Sequence, residues 1–342
     1  MLRFATATEV RVTAGGDETH QPRPPSTCSV VICAYTDERL GLLLDAVASV
    51  QRQTVDAEVV VVIDGNPDLE ATLATQLSGV TVVANGGVRG LSGARNTGID
   101  TTTGDLVAFL DDDAAADERW LEHLASCFDD PAVMAAGGTI VPRWAESRPR
   151  WFPAEFDWVI GCTYRGQVGF EPGVETPTPI RNVIGANMMM RRSVLHAVGG
   201  FHTELGRVGN DPVGGEETDL CIRIAQRFGG GSVVAAPRAV VWHHVPSSRG
   251  TWRYFHRRCH AEGRTKAVLA RVRGSRDGLS SETRYLTRTL PRAVASYLGT
   301  ALRGDVGGLT SAAATISGTG MTGLGWIEGS LRRGSLYAGE RA

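Results

Sequence analysis

Four short apolar runs recur through the first third of the chain: CSVVICAY (28–35), EVVVVID (58–64), VTVVAN (80–85) and DLVAFLDDD (105–113). Runs that are apolar throughout, rather than alternating, read as strands buried on both faces. Helical patterns separate them. The first carries Leu40, Leu43, Leu44, Val47 and Val50 on one side and closes at Gln51-Arg52-Gln53, and LEATLATQL predicts a second. Strands alternating with helices predict an α/β fold with a mainly parallel, Rossmann-like central sheet flanked by helices. Ligands on such sheets sit at the carboxyl ends of the strands. There this sequence puts Asp64 and the trio Asp111-Asp112-Asp113.

Composition narrows the classes of function. Thirty-five Lys+Arg against 37 Asp+Glu leave a net charge of −2, which argues against nucleic-acid binding by bulk charge. The six cysteines include no C-x-x-C pair, so neither a disulfide scaffold nor a Cys-rich zinc site is expected. No stretch reaches the ~18 uninterrupted apolar residues of a membrane span. The first residues lack the apolar core of a secretory signal, so the expected location is cytoplasmic. Residues 1–26 read as a loose leader and 137–215 as long surface segments with local order. EETDLCIRIAQRF (216–228) predicts a helix and VVAAPRAVVWHH (233–244) a strand. From Arg249 onwards 16 Lys+Arg face six Asp+Glu. An Arg-rich helix there has two readings, a solvated face packed on the core or a peripheral contact with lipid phosphates on the inner face of the cell membrane. GLTSAAATISGTGMTGLGWIEG is too rich in Gly, Ser and Thr for a span.

Several motifs carry chemistry. Clustered carboxylates at Asp111, Asp112 and Asp113 repel one another unless a cation neutralises them, and oxygen ligands suit Mg²⁺ or Mn²⁺. The plain alternative is a solvated turn feeding a helix. GLSGARNTG (90–98) reads as a loop entering a helix with Ser92 at its N-cap, and Arg89 and Arg95 have the guanidinium chemistry that suits phosphate oxygens. Glu216, Glu217 and Asp219 open a helix, where acids meet the dipole favourably. At a glycine-lined entrance they also suit a general base. His243-His244 ends a strand, so only one of the two reaches a given site. Trp144, Trp151, Phe152 and Trp158 form either core packing or a platform on which a sugar stacks.

In this order, CSVVICAYTDE, VVVVIDGN, GLSGARNTGIDTTTGDLVAFLDDD, GANMMMRR, GEETDLCIR and VVWHHV resemble the family-2 glycosyltransferases of GT-A fold over roughly residues 28–260. The resemblance implies an inverting transfer from a nucleotide-diphosphate sugar, a UDP-sugar first among them, with a divalent metal, Mg²⁺ or Mn²⁺. The acceptor is a polysaccharide, lipid-linked or small-molecule hydroxyl. It implies a GT-A domain over 27–260, with a nucleotide half (27–113) and an acceptor half (114–260), then a basic, largely helical extension (261–342). Carried over by position, Ala34, Tyr35 and Asp64 line the base pocket. Asp111 and Asp113 form the D-x-D element, with Asp112 in its variable place and His243 completing the metal shell. Arg89 and Arg95 face the donor, and Trp144, Trp151, Asn187 and Glu216 fall on the acceptor side. Glu217 stands where the family usually has Asp, which leaves Glu217 and Asp219 both open as the base. Two rival readings are a sugar nucleotidyltransferase, whose Gly-rich basic signature residues 28–40 lack, and a catalytically silent nucleotide-sugar-binding protein.

Overall fold

A computed structural model describes residues 27–204, 214–274 and 282–331. The leader expected over 1–26 lies outside the described residues. The first half follows the strand–helix alternation: β1 (Cys28–Ala34), α1 (Leu40–Gln51), β2 (Ala57–Ile63), α2 (Pro67–Gln76), β3 (Thr81–Ala84), α3 (Leu91–Thr101) and β4 (Leu106–Asp111). These strands lie side by side as β3-β2-β1-β4, all parallel. Successive residues of β1 serve opposite faces. Val30 and Ile32 join one apolar cluster, while Val31 joins a second with Val60 and Val62. Burial of both faces is why β1, β2 and β4 are uninterrupted in apolar sequence, whereas β3, read from the sequence as buried too, is an edge strand and partly exposed. α3 starts at Gly90, whose φ of +120° favours glycine, and Ser92 lies inside the helix rather than at its cap.

Beyond β4 come β5 (Ala114–Ala116), α4 (Trp120–Ala125), β6 (Ala135–Trp144), β7 (Thr178–Pro179), β8 (Asn187–Arg191), α5 (Arg192–Val198), α6 (Glu216–Phe228) and β9 (Val233–Val245). They extend one nine-stranded sheet in the order β3-β2-β1-β4-β8-β6-β9-β5, with β7 beside β9. The fold class is the expected one, but the second half of the sheet is mixed. β8 runs antiparallel to both β4 and β6, and β5 and β7 run antiparallel to β9. The segment read as irregular therefore contributes two central strands. Gly137 and Gly138 disguise β6 as a breaker, yet a Cβ on Gly138 would lie 2.1 Å from the Ala239 carbonyl oxygen. Glycine there serves close approach within a sheet.

The C-terminal part is helical, with α7 (Trp252–Arg273), α8 (Leu290–Leu302) and α9 (Gly307–Leu331). α7 runs unbroken through residue 260, so the boundary expected there falls within a helix. α9 lies along α7 at backbone contact. A Cβ on Gly263 would fall 2.0 Å from the Thr322 carbonyl oxygen, and one on Gly325 2.0 Å from that of His260. The small residues that make this stretch a poor membrane span are what let the two helices touch.

Candidate active site

The D-x-D element owes its placement to two strand ends. β4 stops at Asp111, and β5 begins three residues later, pairing Ala114 with His243 of β9. That pairing brings Asp113 against His243, with His243 Nε2 3.2 Å from Asp113 Oδ1. Single ligand atoms of Asp111, Asp113 and His243 lie within 4.8 Å of one another. His244 is outside this group; its backbone N–H donates to the Asp113 carbonyl, and its side chain lies on the other side of the strand.

Arginines hold the acids. Arg39 bridges Asp112 Oδ2 at 2.9 Å and Asp113 Oδ2 at 3.1 Å, and Arg249 stands 3.7 Å from Asp113. Burial works against ionisation of Asp113, but His243, Arg249 and Arg39 outweigh it and hold the carboxyl well below the usual range. Asp112 is pushed the other way by burial and by the neighbouring Asp113, with Arg39 opposing. The sequence reading did not single out Arg39 or Arg249. Their partners are 74 and 136 positions away, and nothing local marks them.

Arg95, at the buried start of α3, donates from Nη1 to Glu216 Oε1 at 2.8 Å and reaches Asp111 Oδ1 and the Gly185 carbonyl with Nη2. Its guanidinium, expected to face the donor, meets protein carboxylates and ties β4 to the first turn of α6. Glu216, expected on the acceptor side, is its buried partner. Glu217 makes no such ion pair among the described residues, and its Oε2, like Glu216 Oε2, is buried without a hydrogen-bond partner. Burial foremost, then the neighbouring Glu216, push its carboxyl up to about 8, while Arg95 pulls against them. Asp219 lies on another side of α6, fully buried among Arg223, Arg273 and His202. Its ion pairs with Arg223 at 2.9 Å and Arg273 at 2.6 Å engage both of its carboxylate oxygens.

Glu217, Asp111, Arg95 and His243 line a cavity of about 620 Å³, which is closed by residues from α7, α9 and the segment between α7 and α8. Within it Lys266, the sole lysine of the chain, is ion-paired with Glu262 at 3.2 Å and with Glu282. Arg181 clasps Glu282 from the core. Trp158, Tyr164, Tyr285 and Trp326 supply aromatic walls.

Three acceptor-side expectations fall elsewhere. Asn187 is fully buried; its Oδ1 accepts from Trp120 Nε1, and its Nδ2 donates to the carbonyls of Thr139 and Ala239. That amide is spent on joining β8, β6 and β9. Trp151 stacks on Trp252 with centroids 4.3 Å apart, and Trp144 sets its edge against Phe152. Neither lines the cavity. On the nucleotide side, Asp64 accepts from Asn85 Nδ2 at 2.7 Å and from the Gly90 N–H at 2.9 Å, fixing the loop ahead of α3. Arg89 lies exposed over Gly65, Ala34 is buried, and Tyr35 is exposed with the Arg39 guanidinium 5.1 Å above its ring.

Residues 29–199 match the sequence profile of glycosyl transferase family 2. A glucosyl-dolichyl phosphate glucuronosyltransferase of Haloferax volcanii is 35% identical over 246 residues, which cover 70% of this chain and 76% of that one. Among solved structures, the mannosyltransferase PcManGT from Pyrobaculum calidifontis, in complex with GDP-Man and Mn²⁺, aligns with a TM-score of 0.56 at 20% identity, covering 92% of this chain and 89% of that one. GalNAc-T7 with UDP, GalNAc and Mn²⁺ aligns with a TM-score of 0.53 at 16% identity, covering 77% of this chain and 58% of that one. At these identities the two structures are similar in fold.

Proposed function

The chain belongs to glycosyl transferase family 2, and from that premise we propose that it transfers a sugar from a nucleotide-diphosphate donor to the hydroxyl of a glycolipid or polysaccharide acceptor, with inversion and with Glu217 as base. The observation that carries the reading is a cavity carboxyl with a buried, unpartnered oxygen that, unlike Glu216, has no ion pair among the described residues and is held protonatable near neutral pH. A base of that kind takes the proton of the acceptor hydroxyl as its oxygen attacks the anomeric carbon. The bond from that carbon to the diphosphate oxygen breaks on the opposite side, and the diphosphate leaves with the electron pair.

The residues beside it fit a divalent cation. Two carboxylates and an imidazole converge within 4.8 Å, and this donor set suits Mg²⁺ or Mn²⁺. Asp111, Asp113 and His243 would hold the ion, which when bound supplies Lewis-acid stabilisation of charge on the leaving diphosphate. Arg39 keeps Asp112 and Asp113 in place for it, and Arg95 positions Asp111 and Glu216. Tyr35 and Asp64 border the strand ends where the nucleotide base is accommodated, and a UDP-sugar is the first donor to try.

The test is nucleotide release from UDP-, GDP- and dTDP-sugars by the purified chain, with Mn²⁺ or Mg²⁺ and then with EDTA. Cation-dependent release from one donor is the expected result. Donor binding without release, even with acceptor extracts added, would identify a silent binding protein. Neither binding nor release would refute the reading.

A further inference from the structure

The two sides of α9 meet different surroundings. Its inner side packs on α7 and lines the catalytic cavity through Thr319, Thr322 and Trp326. Its outer side presents Leu309, Ile316, Leu324, Ile327 and Leu331, each 54–76% exposed, with exposed Ala313 and Gly320 between them. The steps of three and four residues make one stripe along a helix of 25 residues. Its sole charged residue, Glu328, is half-buried against His260 and Arg264. Leu298 and Leu302 of α8, and Val306 in the turn ahead of α9, are exposed as well. Nine of the 16 exposed large apolar residues in the described chain lie between Leu286 and Leu331, so the exposure is concentrated here and not scattered.

The charges around this surface choose its partner. Arg288, Arg292 and Arg303 are exposed and make no ion pair among the described residues. The exposed acid of the region, Asp305, is already held by Arg150. A second copy of the chain docked symmetrically would bring the same arginines towards one another. Anionic headgroups complement them instead. No helix among the described residues is long and apolar enough to cross a membrane. A helix with one apolar side and flanking arginines lies in the plane of a bilayer interface. The Arg-rich helix α7, the sequence's own candidate for lipid contact, is covered along its middle, where no residue from 258 to 270 is exposed, and offers exposed arginines only towards its ends, Arg253, Arg257 and Arg271.

We propose that the outer face of α8 and α9 seats the protein on an anionic lipid surface, with α9 as the wall between the bilayer and the catalytic cavity. This goes beyond the transfer reaction, and its test does not depend on turnover. The full chain is floated with phosphatidylglycerol/phosphatidylcholine vesicles and with phosphatidylcholine alone, and nucleotide release is measured on the same preparations. Flotation with the mixed vesicles is expected, weaker with phosphatidylcholine. The Ile316→Glu/Leu324→Glu double variant, altered at exposed positions, is expected to lose at least tenfold in bound fraction while its circular dichroism and basal nucleotide release match wild type. Arg288→Glu/Arg292→Glu is expected to lose the preference for the anionic lipid. Absence of flotation, or flotation indifferent to both double variants, overturns the proposal. A dimer in light scattering that Ile316→Glu/Leu324→Glu dissociates, without any flotation, would hand the face to a second copy. Flotation without nucleotide release would leave this face standing and remove the transfer reading.

Discussion

Replacing Glu217 by Gln keeps the shape of the side chain and removes the base. Its carboxyl is displaced from 4.5 to about 8 by burial and by Glu216. With that displacement about one molecule in ten carries the base form at pH 7, and about one in a hundred at pH 6. Donor turnover at saturating acceptor is therefore expected to rise close to tenfold between pH 6 and 7 and to level off above 8. Glu217→Gln should retain donor binding, lose ~10²–10⁴ in rate and lose the pH dependence with it. Stability should move the opposite way. A carboxyl with a raised folded-state value binds more protons when folded, so its contribution falls as pH rises from about 4.5 to 8. At about 1.4 kcal/mol per unit the full displacement is worth at most ~5 kcal/mol, and the half-open setting discounts this to ~2 kcal/mol. Glu217→Gln should thus melt with wild type at pH 4 and several degrees above it at pH 9. A flat rate profile from pH 6 to 8, or a variant no more stable at pH 9 than at pH 4, would falsify the assignment.

Three other outcomes follow from the geometry. Asp219→Asn leaves Arg223 and Arg273 without their buried anion and should cost ~3–5 kcal/mol in chemical denaturation, while the folded fraction turns over donor at the wild-type rate. His243→Ala removes one of three converging ligand atoms; calorimetric titration with Mn²⁺ should show at least ~10-fold weaker binding, and the cation-free protein, which loses the buried partner of Asp113, should melt below wild type. Gly325→Ala sets a methyl group 2.0 Å from the His260 carbonyl and should destabilise by ~1–3 kcal/mol, read as an earlier urea transition. Ser330→Ala, on the exposed side of the same helix, should leave that transition where it is.

The parts of this molecule legible in its sequence are those with local periodicity. β1, β2 and β4 are buried on both faces and announce themselves as apolar runs, and acids follow β2 and close β4, at Asp64 and Asp111. The order of motifs carried the family resemblance. What escaped is built from distant pairs. Arg39 and Arg249 gain their meaning from Asp112 and Asp113, across most of the fold. Arg95 looked like a phosphate ligand because its neighbours are small, and only the placement of Glu216, 121 residues on, shows the ion pair. Asn187 sits in a motif beside functional residues, yet its amide is a fastener between strands. β6 was hidden because glycine signals a break in one dimension and close packing in three. Trp144 and Trp151 illustrate the same limit: aromatic composition gives a platform or a core with equal ease, and only the structure shows Trp151 stacked on Trp252 and Trp144 set against Phe152, away from the cavity.

The backbone contact between α7 and α9 fixes how this cavity can change over evolution or by engineering. With Gly263 against Thr322 and Gly325 against His260, neither helix can slide or tilt without collision. Helix displacement is closed as a route to a larger or smaller cavity. A change in the shape of the cavity falls instead to the side chains that line it from a fixed frame, among them Thr319, Thr322 and Trp326 on one helix and Lys266 and Leu269 on the other. A library confined to those five positions samples the shapes this wall can take while leaving the helices where they are.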